Sequence, residues 1–208
     1  MISRRHALLA GLGVASRLSA AQPHPLYFEP NRGQFGVGSV FCSDQKRWRA
    51  SFEPRRIDVS MKRLVGDGGG AGGVRNHANL RDVSVSLVEA ACPAPIGEDL
   101  RIGRSDYYFH GDPKTFVNDV PHFYRLRYPE AWPGVDLIVR GWDGLLELSF
   151  DVSGDAQASG VGLRWTQGEP LALRDGSVIV NAPWGVVRQR RPEGLSWRTD
   201  SNGILRLA

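Results

Sequence analysis

Cysteine is nearly absent: Cys42 and Cys92 are the two in 208 residues, with no CxxC pair or cysteine–histidine cluster around them. That spacing excludes a four-ligand structural zinc site. In an oxidising compartment the two thiols either close a loop of about 50 residues, which contributes about 2–4 kcal/mol if unstrained, or stay apart as separate buried thiols. The sequence leaves both alternatives open, because a bridge depends on the approach of the two Cα atoms. Long apolar runs are also missing beyond the first 21 residues, so the mature chain is expected to have no transmembrane anchor. Helical periodicity is hard to find. The nucleophile elbow G-x-S-x-G is absent. His77, His110 and His122 show no metal-ligand spacing and read as surface or capping residues. Gly66–Gly73 (GDGGGAGG) lacks the Lys-Ser/Thr pair and following helix of a phosphate-binding loop, and reads as a flexible loop. No metal and no cofactor are expected.

The formal charge is +4, from 26 basic and 22 acidic side chains. Much of that excess lies in residues 1–21, which carry Arg4, Arg5 and Arg17 and no acid. Setting them aside leaves 23 basic against 22 acidic groups, so no nucleic-acid partner is expected. Those 21 residues have the form of a signal peptide. Met1 to His6 is a short positive region, Ala7 to Ala15 an uncharged and mostly apolar run, and Ser19-Ala20-Ala21 supplies the small residues of a cleavage site before Gln22. Ser3-Arg4-Arg5 also resembles the start of a twin-arginine signal, although Ala7 stands where such signals carry an aromatic. The expected location is therefore exported: periplasm, cell surface or extracellular.

From there on, short alternating runs recur. Ile57, Val59 and Met61 alternate with polar residues, as do Val83, Val85 and Leu87, and again Leu146, Leu148, Phe150 and Val152. Val135–Val139, Val161–Trp165, Val178–Val180 and Gly185–Gln189 add candidates. Trp142-Asp143-Gly144, Arg174-Asp175-Gly176 and Ser201-Asn202-Gly203 read as turns between them. The predicted fold is all-β, an antiparallel sandwich of many short strands over residues 22–208. Pro93 and Pro95 mark a break that would allow a subdivision near 90–100.

Four stretches carry a resemblance. They are Phe28-Glu29-Pro30-Asn31-Arg32-Gly33-Gln34, Gly103 to Pro113, Val120-Pro121 through Asp136-Leu137, and Leu146 to Phe150 with Gly185 to Pro192. In this order they resemble the β-rich domain of unknown function at the amino terminus of bacterial surface proteins with SBBP-type β-propeller repeats. Asp106 stands where that family usually has Asn, and Leu148-Ser149 where it has Tyr-Asp. The resemblance implies a β-rich fold and a cell-envelope setting, with a propeller-repeat or other envelope protein as partner; it implies no activity.

The same motifs have structural readings. Pro133-Gly134 is a turn pair, Asp112-Pro113 opens a capped turn, and Asn31, Gly33 and Gln34 suit a tight loop closed by the Asn side chain. Tyr107, Tyr108, Phe109, Phe123, Tyr124 and Tyr128 are expected to supply core area, with Pro121 beside them. Catalysis, if present, would use the carboxylates Asp136 and Glu147, with Asp151 nearby, in glycoside hydrolysis. Ligand binding would use Trp142 and Trp184, which fall in predicted turns where an aromatic can stack on a glycan. Arg188, Arg190 and Arg191 would either meet an acidic headgroup or protect an edge strand. The reading that follows is an exported non-catalytic module with a structural or recognition role in the envelope. The alternatives are a carbohydrate-binding module and a carbohydrate-active hydrolase.

Overall fold

In the computed structural model the chain is built almost wholly of strands. The structure describes residues 5–14, 26–35, 37–45, 48–61, 83–91, 93–109, 111–142, 145–154, 156, 158–166, 171–172, 175–182 and 185–208, with side chains left out at 5–14, 61, 142, 145, 171–172, 181–182 and 185–188. The proposed cleavage site, the loop Gly66–Gly73, Cys92 and Trp184 lie outside the described residues. In chain order the strands are β1 (Arg5–Val14), β2 (Glu29–Pro30), β3 (Phe41–Asp44), β4 (Trp48–Phe52), β5 (Arg56–Met61), β6 (Val83–Val88), β7 (Ile96–Tyr107) and β8 (Val117–Trp132). There follow β9 (Val135–Trp142), β10 (Leu145–Val152), β11 (Gly162–Trp165), β12 (Leu171–Ala172), β13 (Val178–Ala182), β14 (Gly185–Gln189), β15 (Trp197–Thr199) and β16 (Leu205–Leu207).

They form two eight-stranded antiparallel sheets, ordered β12-β13-β14-β1-β10-β9-β8-β7 and β15-β16-β11-β6-β5-β4-β3-β2. The fold is the expected all-β sandwich. The chain crosses from the second sheet to the first between β6 and β7, at the stretch containing Pro93 and Pro95. One hydrophobic cluster nevertheless draws on both sheets, from Phe52, Ile57, Val59 and Val85 on one side to Leu126, Leu137, Leu148 and Phe150 on the other. Alternation explains these choices: Val135, Leu137 and Val139 are fully buried toward the partner sheet, while Asp136 and Arg140 take the opposite face. Four tryptophans, Trp48, Trp132, Trp165 and Trp197, are buried. Trp132 ties the sheets together, its indole N–H donating to the Val88 carbonyl at 2.8 Å.

Two features depart from the sequence reading, and a third concerns the amino terminus. First, β7 and β8 make one long hairpin whose alternation is broken. Asp99, Asp119 and Glu130 have φ of 57°, 56° and 48°, and the ladder shifts register between Arg101 and Arg104 and again before Tyr107. Pro121 sits opposite Arg104 at the first shift, where a residue without an N–H costs no ladder bond. Second, β14 is an interior strand, between β13 and β1, so the arginines around it do not guard an edge. Third, the apolar run expected as the core of a signal peptide is β1. It pairs with β10 from Arg5↔Val152 to Leu12↔Leu146 and with β14 from Leu12↔Gln189 to Val14↔Val187.

Candidate functional site

The segment after Leu26 joins the two sheets at one edge. Phe28, fully buried, bridges to Phe123 of β8 with both backbone bonds at 2.9 Å, while Glu29 and Pro30 pair with β3. The loop that follows is closed by its own side chains. The Asn31 carboxamide oxygen accepts from the Gly33 and Phe35 amides at 3.0 and 3.2 Å, and its nitrogen donates to the Ser39 carbonyl at 3.0 Å. Gln34 donates to the Pro30 carbonyl at 2.8 Å, and Gly33 has φ 111°, which favours glycine. Arg32 reaches across to the Asn118 and Asp119 carbonyls, both at 3.3 Å.

That anchoring holds Glu29 beneath the β7–β8 hairpin, 2% exposed. A buried carboxylate is tolerated only when its lone pairs are met. Here the Ser105 hydroxyl donates to Oε1 and the Tyr107 hydroxyl to Oε2, and His122 Nε2 lies 2.9 Å from Oε1. Burial pushes the Tyr107 phenol well above its usual range, and the bond to Glu29 adds to this. Burial pushes His122 down, against the pull of Glu29 and with the help of Arg101. A neutral His122 must then carry its proton on Nε2 to donate to Glu29. Tyr27 stacks on the His122 ring at 4.0 Å between centroids and 15° between planes.

A serine, a histidine and a carboxylate in contact invite comparison with a nucleophilic triad, and the atoms rule against it. In a triad the serine and the acid bind different ring nitrogens. Here Ser105 Oγ, at 2.8 Å, and Glu29 both approach Nε2, and the Ser105 proton is already given to Glu29. The cluster is arranged to hold its members, not to activate one. Its titration has a direction. A folded-state pKa below the unfolded value means the unfolded chain binds the proton first, so stability falls as pH drops through about 6.5. Urea unfolding at pH 7.5 and 5 is expected to show this loss, and His122→Asn to reduce it; an equal loss in the variant would show that other groups cause it.

A family profile of domains of unknown function, DUF7948, matches residues 28–202. The chain belongs to this DUF7948 family. No curated protein and no solved structure matches it. The matched region of the DUF7948 domain begins at Phe28, the residue that bridges the sheets, and excludes β1.

Within the DUF7948 domain the expected catalytic pair is not brought together. Asp136 lies opposite Asp151, and Glu147 opposite Arg140, four positions along the β9–β10 ladder. Asp136 Oδ1 accepts the Glu130 amide at 2.7 Å and Oδ2 lies 3.4 Å from Arg127. It lines a shallow cleft of about 330 Å³ with Glu98, Arg125, Arg127, Ile138 and Asp151. There Glu98 is 2.6 Å from Arg127 and 2.8 Å from Arg125, so both arginines face a carboxylate. Glu147, expected to be solvated, is half-buried; burial raises its carboxyl, while Arg190 and Arg140 pull it down.

Other expectations fall out unevenly. His122 is buried, not a surface or capping residue. Tyr128 is fully buried, whereas Tyr108 and Tyr124 are 65% and 40% exposed, not core. Tyr107 belongs to the Glu29 cluster. Asp112 caps the single turn Pro113–Thr115 by accepting the Lys114 amide at 3.0 Å. Gly134, after Pro133, has φ 71° and lies against Ala156. Cys42 is a buried free thiol whose pKa burial raises to about 11, while Cys92 lies outside the described residues. Trp142 ends β9 opposite Leu145. Sequence reading missed Glu29, Ser105 and His122 as a group; the one signal was that three family-like stretches, Phe28–Gln34, Gly103–Pro113 and Val120–Leu137, each carry part of it.

Proposed function

We propose that this chain is an exported, non-catalytic module of the cell envelope that acts as a scaffold or recognition element, in the manner of the domains that accompany SBBP-type propeller repeats. The observation that carries the reading is the Glu29 cluster. Three of the four stretches resembling that family contribute to it, and each of its reactive groups is bound to a neighbour. Asp136 is likewise engaged by an amide and an arginine. The amino-terminal charge and apolar pattern supports export.

Expression of the tagged full chain in a Gram-negative host tests the export half. Processed protein outside the cytoplasm with Gln22 at its amino terminus is the expected result; unprocessed chain in the cytoplasm overturns it. Incubation with a polysaccharide panel tests the other half. No release of reducing ends is expected, and release abolished by Asp136→Asn would replace the module with a hydrolase. A glycan array run beside it addresses the carbohydrate-binding alternative, which predicts binding lost in Trp142→Ala or Trp184→Ala.

A further inference from the structure

Arg101 stands opposite His122 in the β7–β8 ladder. Its guanidinium carbon lies 5.2 Å from the Tyr27 ring centroid and 5.8 Å from that of Tyr124. Tyr27 also stacks on His122, so His122, Tyr27, Arg101 and Tyr124 form one contiguous group. Many arginines of the described surface are matched to acids: Arg49 to Asp44, Arg104 to Asp119, Arg125 and Arg127 to Glu98, Arg206 to Glu89. Arg101 has aromatic neighbours in place of an acid, and makes no hydrogen bond or ion pair among the described residues. The neighbouring carboxylate, Glu29, is engaged by Ser105, Tyr107 and His122.

A guanidinium held against two rings without an acid partner keeps the N–H donors of its fork available and has less rotamer freedom left to lose. That fork matches a carboxylate in a two-bond geometry. Tyr124 is 40% exposed, so ring surface remains beside the fork for the apolar face of a sugar. Leu100 and Ile102, 59% and 101% exposed, flank it along β7. We propose that the Tyr27–Arg101–Tyr124 group is a binding site for an acidic saccharide, with the sugar carboxylate on the Arg101 fork. The proposal deepens the recognition role and rests on that reading of the module.

Titrating the ¹⁵N-labelled full chain with trigalacturonate, its methyl ester and sodium phosphate, followed by amide shifts, tests it. Trigalacturonate is expected to move Leu100–Arg104 and His122–Tyr124, and the uncharged ester to leave them unmoved. Arg101→Lys keeps the charge and loses the fork, and is expected to weaken binding about tenfold or more, while Arg164→Lys on β11 does not. Unmoved β7–β8 amides, shifts confined to the Trp142 hairpin, or an unaffected Arg101→Lys would each overturn the site. Phosphate matching trigalacturonate at the same amides would overturn the saccharide assignment. Cytoplasmic, unprocessed chain that still binds at Arg101 would sink the envelope reading and leave this site standing.

Discussion

Replacing Glu29 with leucine is expected to lower the unfolding free energy by about 3 kcal/mol, as breaking a buried charged cluster does, measured from the shift of the urea midpoint. Leucine fills a similar space but accepts nothing. The Ser105 and Tyr107 hydroxyls and His122 Nε2 would then be left without their acceptor, and stranding buried donors is costly. Glu29→Gln is expected to lose less, about 1 kcal/mol, because one acceptor remains. The loss belongs to the junction between the sheets, so it should appear with the slope m unchanged. A leucine variant within about 0.5 kcal/mol of the parent, the range of ordinary surface substitutions, would mean that the cluster holds nothing.

That effect could not have been anticipated from local pattern. Strands β5, β6, β9 and β10 were legible because their inner faces alternate cleanly, as with Ile57 and Val59 or Leu146, Leu148 and Phe150. The β7–β8 hairpin was not. Three acidic residues in the left-handed region and two register shifts break the period that identifies a strand. Glu29 looked like part of a turn motif, since its partners Ser105 and Tyr107 lie 76 and 78 positions away and come near only through the Phe28–Phe123 bridge. The Asn31 loop and the Asp112 cap were legible because each side chain bonds backbone a few residues on. The pairing of Asp136 with Asp151, and not Glu147, is a matter of register, which a two-residue shift in the hairpin turn would have changed.

Shortening the chain to begin at Gln22 is expected to strip amide protection from β12–β14, while β3–β6 keep theirs. In the first sheet β1 fills the space between β10 and β14. Its removal leaves a gap of about 10 Å, two strand spacings, too wide for direct bonds between the flanking strands. Hydrogen exchange across Val178–Gln189 is expected to quicken at least about 100-fold, equivalent to roughly 2.8 kcal/mol of local stability. Retained protection would mean that β14 closes directly onto β10, leaving targeting as the remaining role for residues 1–21. The family match, which starts at Phe28, makes this comparison decisive for whether β1 belongs to the domain.

The order in which the chain visits its two sheets also fixes when each can close during synthesis. Strands β2–β6 emerge directly after β1, yet β6 acquires its second neighbour, β11, only after the whole β7–β10 meander has been made. At about 5–20 residues per second, that delay is roughly 4–15 s. Throughout it β6 presents an unpaired edge with Val83, Val85 and Leu87 beside it, the kind of surface that recruits other strands. The sheet is finished only by β15 and β16, which follow β14 of the other sheet. Closure of this sheet therefore waits on strands made after the other one, and a holding chaperone has more to protect here than in a protein whose sheets close in the order they are made.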